Sequence, residues 1–234
     1  MFTLSSVVPW GRSFEEYQRM FALSADDLRG AILGCGDGPA SFNAEAARRG
    51  IRVVSCDPVY RFDAPQLQQR VHEVAADVLD QTRRNAAEFV WDEIRSVEEL
   101  GQRRMAAMAD FLADYPAGLR DGRYLDAALP ELPFADDAFD LALASHVLFL
   151  YTVQLDLEFH RRAVAEMCRV ARDVRIFPLL ALGGAQSPYV APVVDEYTAL
   201  GFSVTIERVP YEFQRGGNQM LRIARTPACR TAGA

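Results

Sequence analysis

The chain has no lysine; all 25 of its basic residues are arginine. That absence excludes a Schiff-base lysine and a phosphate-loop lysine outright. Acids outnumber bases, and the formal net charge is −7 with a pI near 5.1. A nucleic-acid or anionic-membrane partner gripped through bulk positive charge is therefore not expected. No apolar stretch approaches the roughly 20 residues of a membrane span. Cysteine is scarce too: Cys35, Cys56, Cys168 and Cys229 show no C-x-x-C spacing. They read as free thiols in a reducing compartment, not as a disulfide framework or a metal site. The N-terminus lacks the charged and apolar regions of a signal peptide, so a cytoplasmic location is the expectation. No internal repeat is visible. Half of the 234 residues are hydrophobic, enough for one large α/β domain with room for an insertion.

The informative stretch is 30–57. Ala31, Ile32 and Leu33 form a short apolar run that stops at Gly34, Gly36 and Gly38, which alternate with Cys35 and Asp37. A short run bounded by turn residues reads as a buried strand. Glycine in the turn permits positive φ and a close ligand approach to the backbone. Pro39 suits the first turn of a helix, Ala40 to Arg49 is helix-permissive and Gly50 is a stop. Ile51 to Ser55 reads as a second strand, with Asp57 and Pro58 just past its end. Strand, glycine turn, helix, strand and acid make one nucleotide-binding half of a doubly wound fold.

A dinucleotide fingerprint wants G-x-G-x-x-G, but the spacing here is G-x-G-x-G, with Pro39 at the place of the third glycine. That disfavours a nicotinamide oxidoreductase. Further along, Leu132-Pro-Phe-Ala-Asp-Asp-Ala-Phe-Asp140 precedes an apolar strand at 141–144. Together these segments resemble the class I S-adenosylmethionine-dependent methyltransferases, over roughly residues 30–223. The resemblance implies an α/β fold: a seven-stranded, mostly parallel sheet of order 3-2-1-4-5-7-6 with helices on both faces. It implies S-adenosylmethionine as cofactor, held by the turn Gly34, Cys35, Gly36, Asp37 and Gly38. Asp57 would take the ribose hydroxyls and Pro58 would follow it. The family's adenine-binding acid is replaced by Ala128, and Asp126 falls two residues early, so backbone around Ala128 and Leu129 would serve instead. Ser145 and His146, after the fourth strand, would face the transferring methyl, and Tyr17 would cover the cofactor. His146 is the candidate general base, its ordinary pKa lying near neutrality; otherwise it shapes the pocket wall. No metal is implied. The acceptor is expected to be a small molecule, since the Asn/Asp-Pro-Pro-Tyr signature of base and glutamine methylation is missing. A binding protein or regulatory subunit without transferase activity is the alternative.

The remaining pattern supplies the surroundings. Ser13 and Glu16 have capping-box spacing, and Ser24 with Asp27 reads as a second, shorter cap. Pro58 to Gly122 far exceeds the about 30 residues of a whole βαβ unit. Leu67, Val71, Val74 and Val78 follow helical spacing. So do Val97, Leu100, Met108, Phe111 and Tyr115 if Arg104 fills the missing step, with Pro116 and Gly118 as the end. Residues 64–118 are therefore expected to form a helical insertion between strands two and three. Part of it would roof the site with Phe89, Trp91 and Met108. His160 lies on the apolar stripe of the helix at 153–171 and reads as a core histidine. Arg175 is expected at the exposed end of strand five. Phe202–Phe213 and Asn218–Ile223 read as two strands joined by a turn at Gln214–Gly217.

Overall fold

A computed structural model describes residues 10–226. Cys229, read above as a free thiol, lies outside the described residues. The elements are α1 (Phe14–Met20), β1 (Ala31–Cys35), α2 (Phe42–Arg48), β2 (Arg52–Cys56), α3 (Ala64–Arg84) and α4 (Val97–Arg120). Then follow β3 (Tyr124–Leu125), β4 (Phe139–Ser145), α5 (Leu157–Val170), β5 (Ala171–Phe177), α6 (Val190–Ala199), β6 (Ser203–Arg208) and β7 (Gln219–Ala224). The seven strands form one sheet of order β3-β2-β1-β4-β5-β7-β6, with β7 antiparallel to both neighbours. Among the described residues no helix is long and apolar enough to cross a membrane.

Two apolar cores lie on the two faces of the sheet. Leu33, Ala142, Ala144, Val174 and Ile176 pack with α5 and α6. Ile32, Leu141, Leu143 and Phe177 pack with α1 and α2. The alternation follows from strand geometry, in which successive side chains point to opposite faces. The Leu132–Asp140 motif binds neighbouring elements together. Asp140 Oδ2 accepts the Ala31 N–H at 2.9 Å, and Arg169 of α5 reaches both Asp136 and the Phe134 carbonyl. Cys35, Cys56 and Cys168 are free and buried, and burial pushes the Cys56 and Cys168 thiols up to about 12.

Several local expectations change. Pro116 does not end α4, which continues to Arg120. The interrupted hydrogen bond is offset by what the last turn buries: the Tyr115 hydroxyl donates to the Tyr60 and Phe62 carbonyls, and Gly118 lies against Tyr124. The third strand shrinks to Tyr124–Leu125. Arg175 is buried, not exposed; Asp27 and Asp173 both pair with it. The expected strand 202–213 stops at Arg208, and the ladder closes at Val209–Asn218. His160 is buried as expected. Its Nδ1 meets the Asp156 carbonyl at 2.7 Å, while its Nε2 has no partner.

The long second crossover resolves into two antiparallel helices. α4 packs on α2 and β3, as a crossover helix does. α3 lies along the outside of α4, with Leu79 against Gly101. Gly118→Ala would gain about 1 kcal/mol in helix propensity. However, its Cβ would sit 2.2 Å from the Tyr124 ring, which is locked among Tyr60, Phe111 and Tyr115. We expect a net loss of about 1–3 kcal/mol, seen as a thermal midpoint lowered by several degrees; an unchanged or raised midpoint contradicts this packing.

Candidate functional site

A cavity of about 380 Å³ opens at the C-terminal edge of the parallel strands. This is where open α/β sheets bind ligands. Its floor is built from the turns after β1, β2 and β4. The Gly36 N–H donates to the Cys56 carbonyl at 2.8 Å, tying the glycine turn to β2. Gly36 has φ +70°, and a Cβ there would lie 3.0 Å from Val147. A side chain would both strain the turn and fill the cradle.

Asp57 sits one residue past β2, only 9% exposed. Its Oδ2 accepts the Gly38 N–H and its Oδ1 the Val59 N–H, both at 2.9 Å. The carboxylate is thus fixed, and each oxygen retains acceptor capacity. Burial raises its pKa, and the two backbone donors work against that rise.

Asp37 faces a different set of partners. Tyr17 donates to its Oδ1 at 2.8 Å and Ser55 to its Oδ2 at 2.6 Å. Asn43 Nδ2 supports Ser55 from behind at 3.1 Å. Burial pushes the Asp37 carboxyl up to about 6, although the Ser55 and Tyr17 hydrogen bonds favour the charged form. Tyr17 therefore acts inward, holding the glycine turn through Asp37.

The sequence-predicted residues converge. Tyr17, Gly36, Asp37, Gly38, Asp57, Pro58, Ala128, Leu129, Ser145 and His146 all line the cavity. Gly34 and Cys35 do not. Both belong to β1, paired with β2 and β4, and Cys35 is buried in the core. Gly34 is small for an internal reason: a Cβ there would overlap the Asp37 carboxylate at 1.8 Å. Asp126 lies outside the cavity, partly exposed and paired with Arg61. His146 has φ +57° and its Nδ1 is 2.9 Å from Ser145 Oγ. Burial first, then the charges of Arg12 and Arg104, hold its pKa well below the ordinary value, so the imidazole is neutral.

The roof went largely unread in the sequence. It consists of residues 86–91, between α3 and α4, and the loop 210–217 between β6 and β7. The Val90 N–H donates to the Phe213 carbonyl at 2.8 Å, and the Arg215 N–H to the Glu88 carbonyl at 2.9 Å. Phe89 stacks on Phe213 with centroids 4.9 Å apart. Phe89 lines the cavity as expected. Trp91 instead braces Phe89 and Phe213, and Met108 is buried between α3 and α4. The wall includes Arg12 and Arg104. Arg104 Nη1 contacts Glu16 Oε2 at 2.5 Å, and Tyr211 donates to Glu16 Oε1 at 2.9 Å. Burial works to raise the Glu16 pKa, but Arg104 outweighs it and holds the carboxyl at about 2. The gap in the apolar spacing at Arg104 was the only sequence signal for this cluster.

The strand order and the ligand-binding edge define the class I methyltransferase fold. An O-methyltransferase family protein from Burkholderia thailandensis superposes with a TM-score of 0.51 at 9% identity, over 91% of this chain and 56% of that one. A magnesium protoporphyrin IX methyltransferase from Synechocystis PCC 6803, with bound S-adenosylhomocysteine, aligns at a TM-score of 0.46 and 15% identity, over 86% and 77% of the two chains. No family model matches the sequence. The chain belongs to the family of the uncharacterized protein MJ0045 of Methanocaldococcus jannaschii. The two are 33% identical over 224 residues, 95% of this chain and 98% of that protein.

The Tyr17–Asp37 bond generates a prediction. Removing a donor to the charged form raises a carboxyl pKa. In a carbon-13 carboxyl titration Asp37 should titrate near about 6 in the wild type and higher in Tyr17→Phe. Because the folded value lies above the ordinary 3.8, Asp37 subtracts stability as pH rises through that window. The variant should extend the loss to higher pH; an Asp37 titration unmoved by Tyr17→Phe contradicts the assignment.

Proposed function

We propose that the protein transfers a methyl group from S-adenosylmethionine to a small-molecule acceptor inside this cavity. The observation that carries the reading is the fixed, buried Asp57 carboxylate beside the open glycine turn, at the ligand-binding edge of this fold. The residues fit the cofactor. Gly36 and Gly38 would let it approach the backbone, Asp57 would accept from the ribose diol, and the backbone at Ala128 and Leu129 would serve the adenine. When bound, the cofactor supplies an electrophilic methyl on a sulfonium.

The chain's own contribution is placement. Ser145 ends β4 and His146 follows it, both at the cavity floor beneath the roof segments. Holding two reactants in line can contribute about 7–11 kcal/mol to a barrier. An acceptor that carries a proton must lose it; His146 is the proposed base, and a weak one, since burial and the Arg12 and Arg104 charges disfavour its protonated form, so placement carries most of the chemistry. The thiol of Cys56 is no rival nucleophile, since burial holds it protonated.

Asp57→Asn tests the cofactor site. The amide keeps the size but loses the charge that would receive two hydroxyls, and it sets its NH2 against the Gly38 or Val59 N–H. Calorimetry with S-adenosylhomocysteine should show a loss of about 1.5–3 kcal/mol, roughly ten- to a hundred-fold in affinity. Wild-type affinity in the variant removes Asp57 from the site.

The roof gives a separate expectation. We read 86–91 and 210–217 as a lid that opens to admit ligands, part of the 64–118 insertion acting with the C-terminal loop. Segments of this kind exchange faster when the site is empty. Hydrogen exchange at the Val90 and Arg215 amides should slow when S-adenosylhomocysteine is added; equal protection in both states means a static cover.

A further inference from the structure

Arg12 and Arg104 share one wall of the cavity, and each carries a buried Nε with no hydrogen-bond partner among the described residues. Arg104 spends Nη1 on Glu16, while among the described residues Arg12 Nη1 donates to the Trp10 carbonyl alone, at 3.2 Å. A buried donor left unmade costs about 1–3 kcal/mol, and more when it is charged. Two such donors on one cavity point to a ligand that completes them.

Charge leads to the same place. The cluster holds two guanidiniums against the single ionised carboxylate of Glu16. Tyr211, whose hydroxyl is pushed up to about 12 by burial and by Glu16, is uncharged, as is His146. One positive charge is therefore in excess. The cavity's other carboxylates pair with neither guanidinium: Asp57 accepts from the Gly38 and Val59 amides and Asp37 from Tyr17 and Ser55, so their charge is left for the cofactor end of the cavity. Glu88 belongs to the roof segment and is partly exposed. An arginine in a protein does not lose its proton, so the excess is permanent.

We propose that the methyl acceptor is an apolar acid whose carboxylate is held by Arg12 and Arg104. Its body lies against the rings of Phe177, Tyr211 and Phe213, which line the same cavity. The proposal rests on the reading of this cavity as a methyl-transfer site. A sulfonium cofactor, with a sulfonium and an ammonium against one carboxylate, does nothing to offset the cluster's positive excess. An anionic acceptor offsets it. Guanidinium N–H groups suit a carboxylate's two oxygens. The cofactor's own carboxylate is the other source of the same chemistry, and the test separates the two.

The Arg12 and Arg104 Nε–H resonances of nitrogen-15-labelled protein are followed in the presence of saturating S-adenosylhomocysteine. Benzoate is the probe and benzamide the uncharged control. Benzoate should move both resonances and benzamide neither. Arg12→Gln should weaken benzoate about tenfold or more while leaving S-adenosylhomocysteine within about twofold. No benzoate response, or an equal response to benzamide, overturns the proposal. So does movement of both resonances by S-adenosylhomocysteine alone with its affinity lost in Arg12→Gln, which gives the arginines to the cofactor. Failure of S-adenosylhomocysteine to bind wild type overturns the methyl-transfer reading instead, and the benzoate–benzamide contrast on the free protein still decides the anion site.

Discussion

The Glu16 carboxylate is the pin that holds the site together. One oxygen accepts from Tyr211; the other meets both Arg104 and the Ser13 backbone N–H. These partners come from α1, α4 and the β6–β7 loop, three elements far apart in sequence. α1 is only seven residues long and could not persist alone in water. Its position depends on this cluster and on the rings of Phe14 and Tyr17 against Phe42. Arg19 of the same helix also reaches Glu93 and the Pro210 carbonyl. One short helix thus aligns the glycine turn, the insertion and the roof. Removing one partner of a buried ion pair typically costs about 3–5 kcal/mol, because the other charge is left uncompensated. That makes this cluster the costliest place to disturb.

The sheet was legible because its signals are local. Ile32 and Leu33 stop at glycines, Asp57 closes β2, and Phe139 and Asp140 lead into β4; each cue spans a few residues. The capping box of Ser13 and Glu16 formed as its spacing predicts. The roof was not legible, since nothing in Phe213 or Val90 indicates that their backbones pair across more than a hundred residues. Residues 210–213 read as the end of a strand because Val209, Tyr211 and Phe213 fall at every second position, whereas 214–217 read as a turn. The alternation is real but serves a cavity wall, not a ladder. Met108 was misplaced for a related reason: an apolar stripe does not reveal which of two partners it faces, and α3 covers it. Pro116 shows tertiary packing overriding a local breaker.

The acids of the site divide by what donates to them. Asp57 receives backbone amides, which hold its shape whatever is bound. Asp37 receives two side-chain hydroxyls, and its glycine neighbour, Gly34, exists to make room for it. The alternating glycines therefore have unlike causes. Gly36 meets the cavity, whereas Gly34 answers to the protein's own interior. A spacing that looks like one ligand signature is a composite of ligand access and self-packing.

The backbone pairing of the two roof segments has a consequence for how the protein is made. Chains emerge from the ribosome at about 5–20 residues per second, so residues 86–91 exist for several seconds before 210–217 can reach them. In the later part of that interval, once β5 has emerged, β7 is still missing and β5 presents an open edge where β7 will pair. The nascent protein thus has its glycine turn and Asp57 early but no covered cavity. Completion of the roof and completion of the sheet are the same late event, because loop 210–217 and strand β7 are consecutive in the chain.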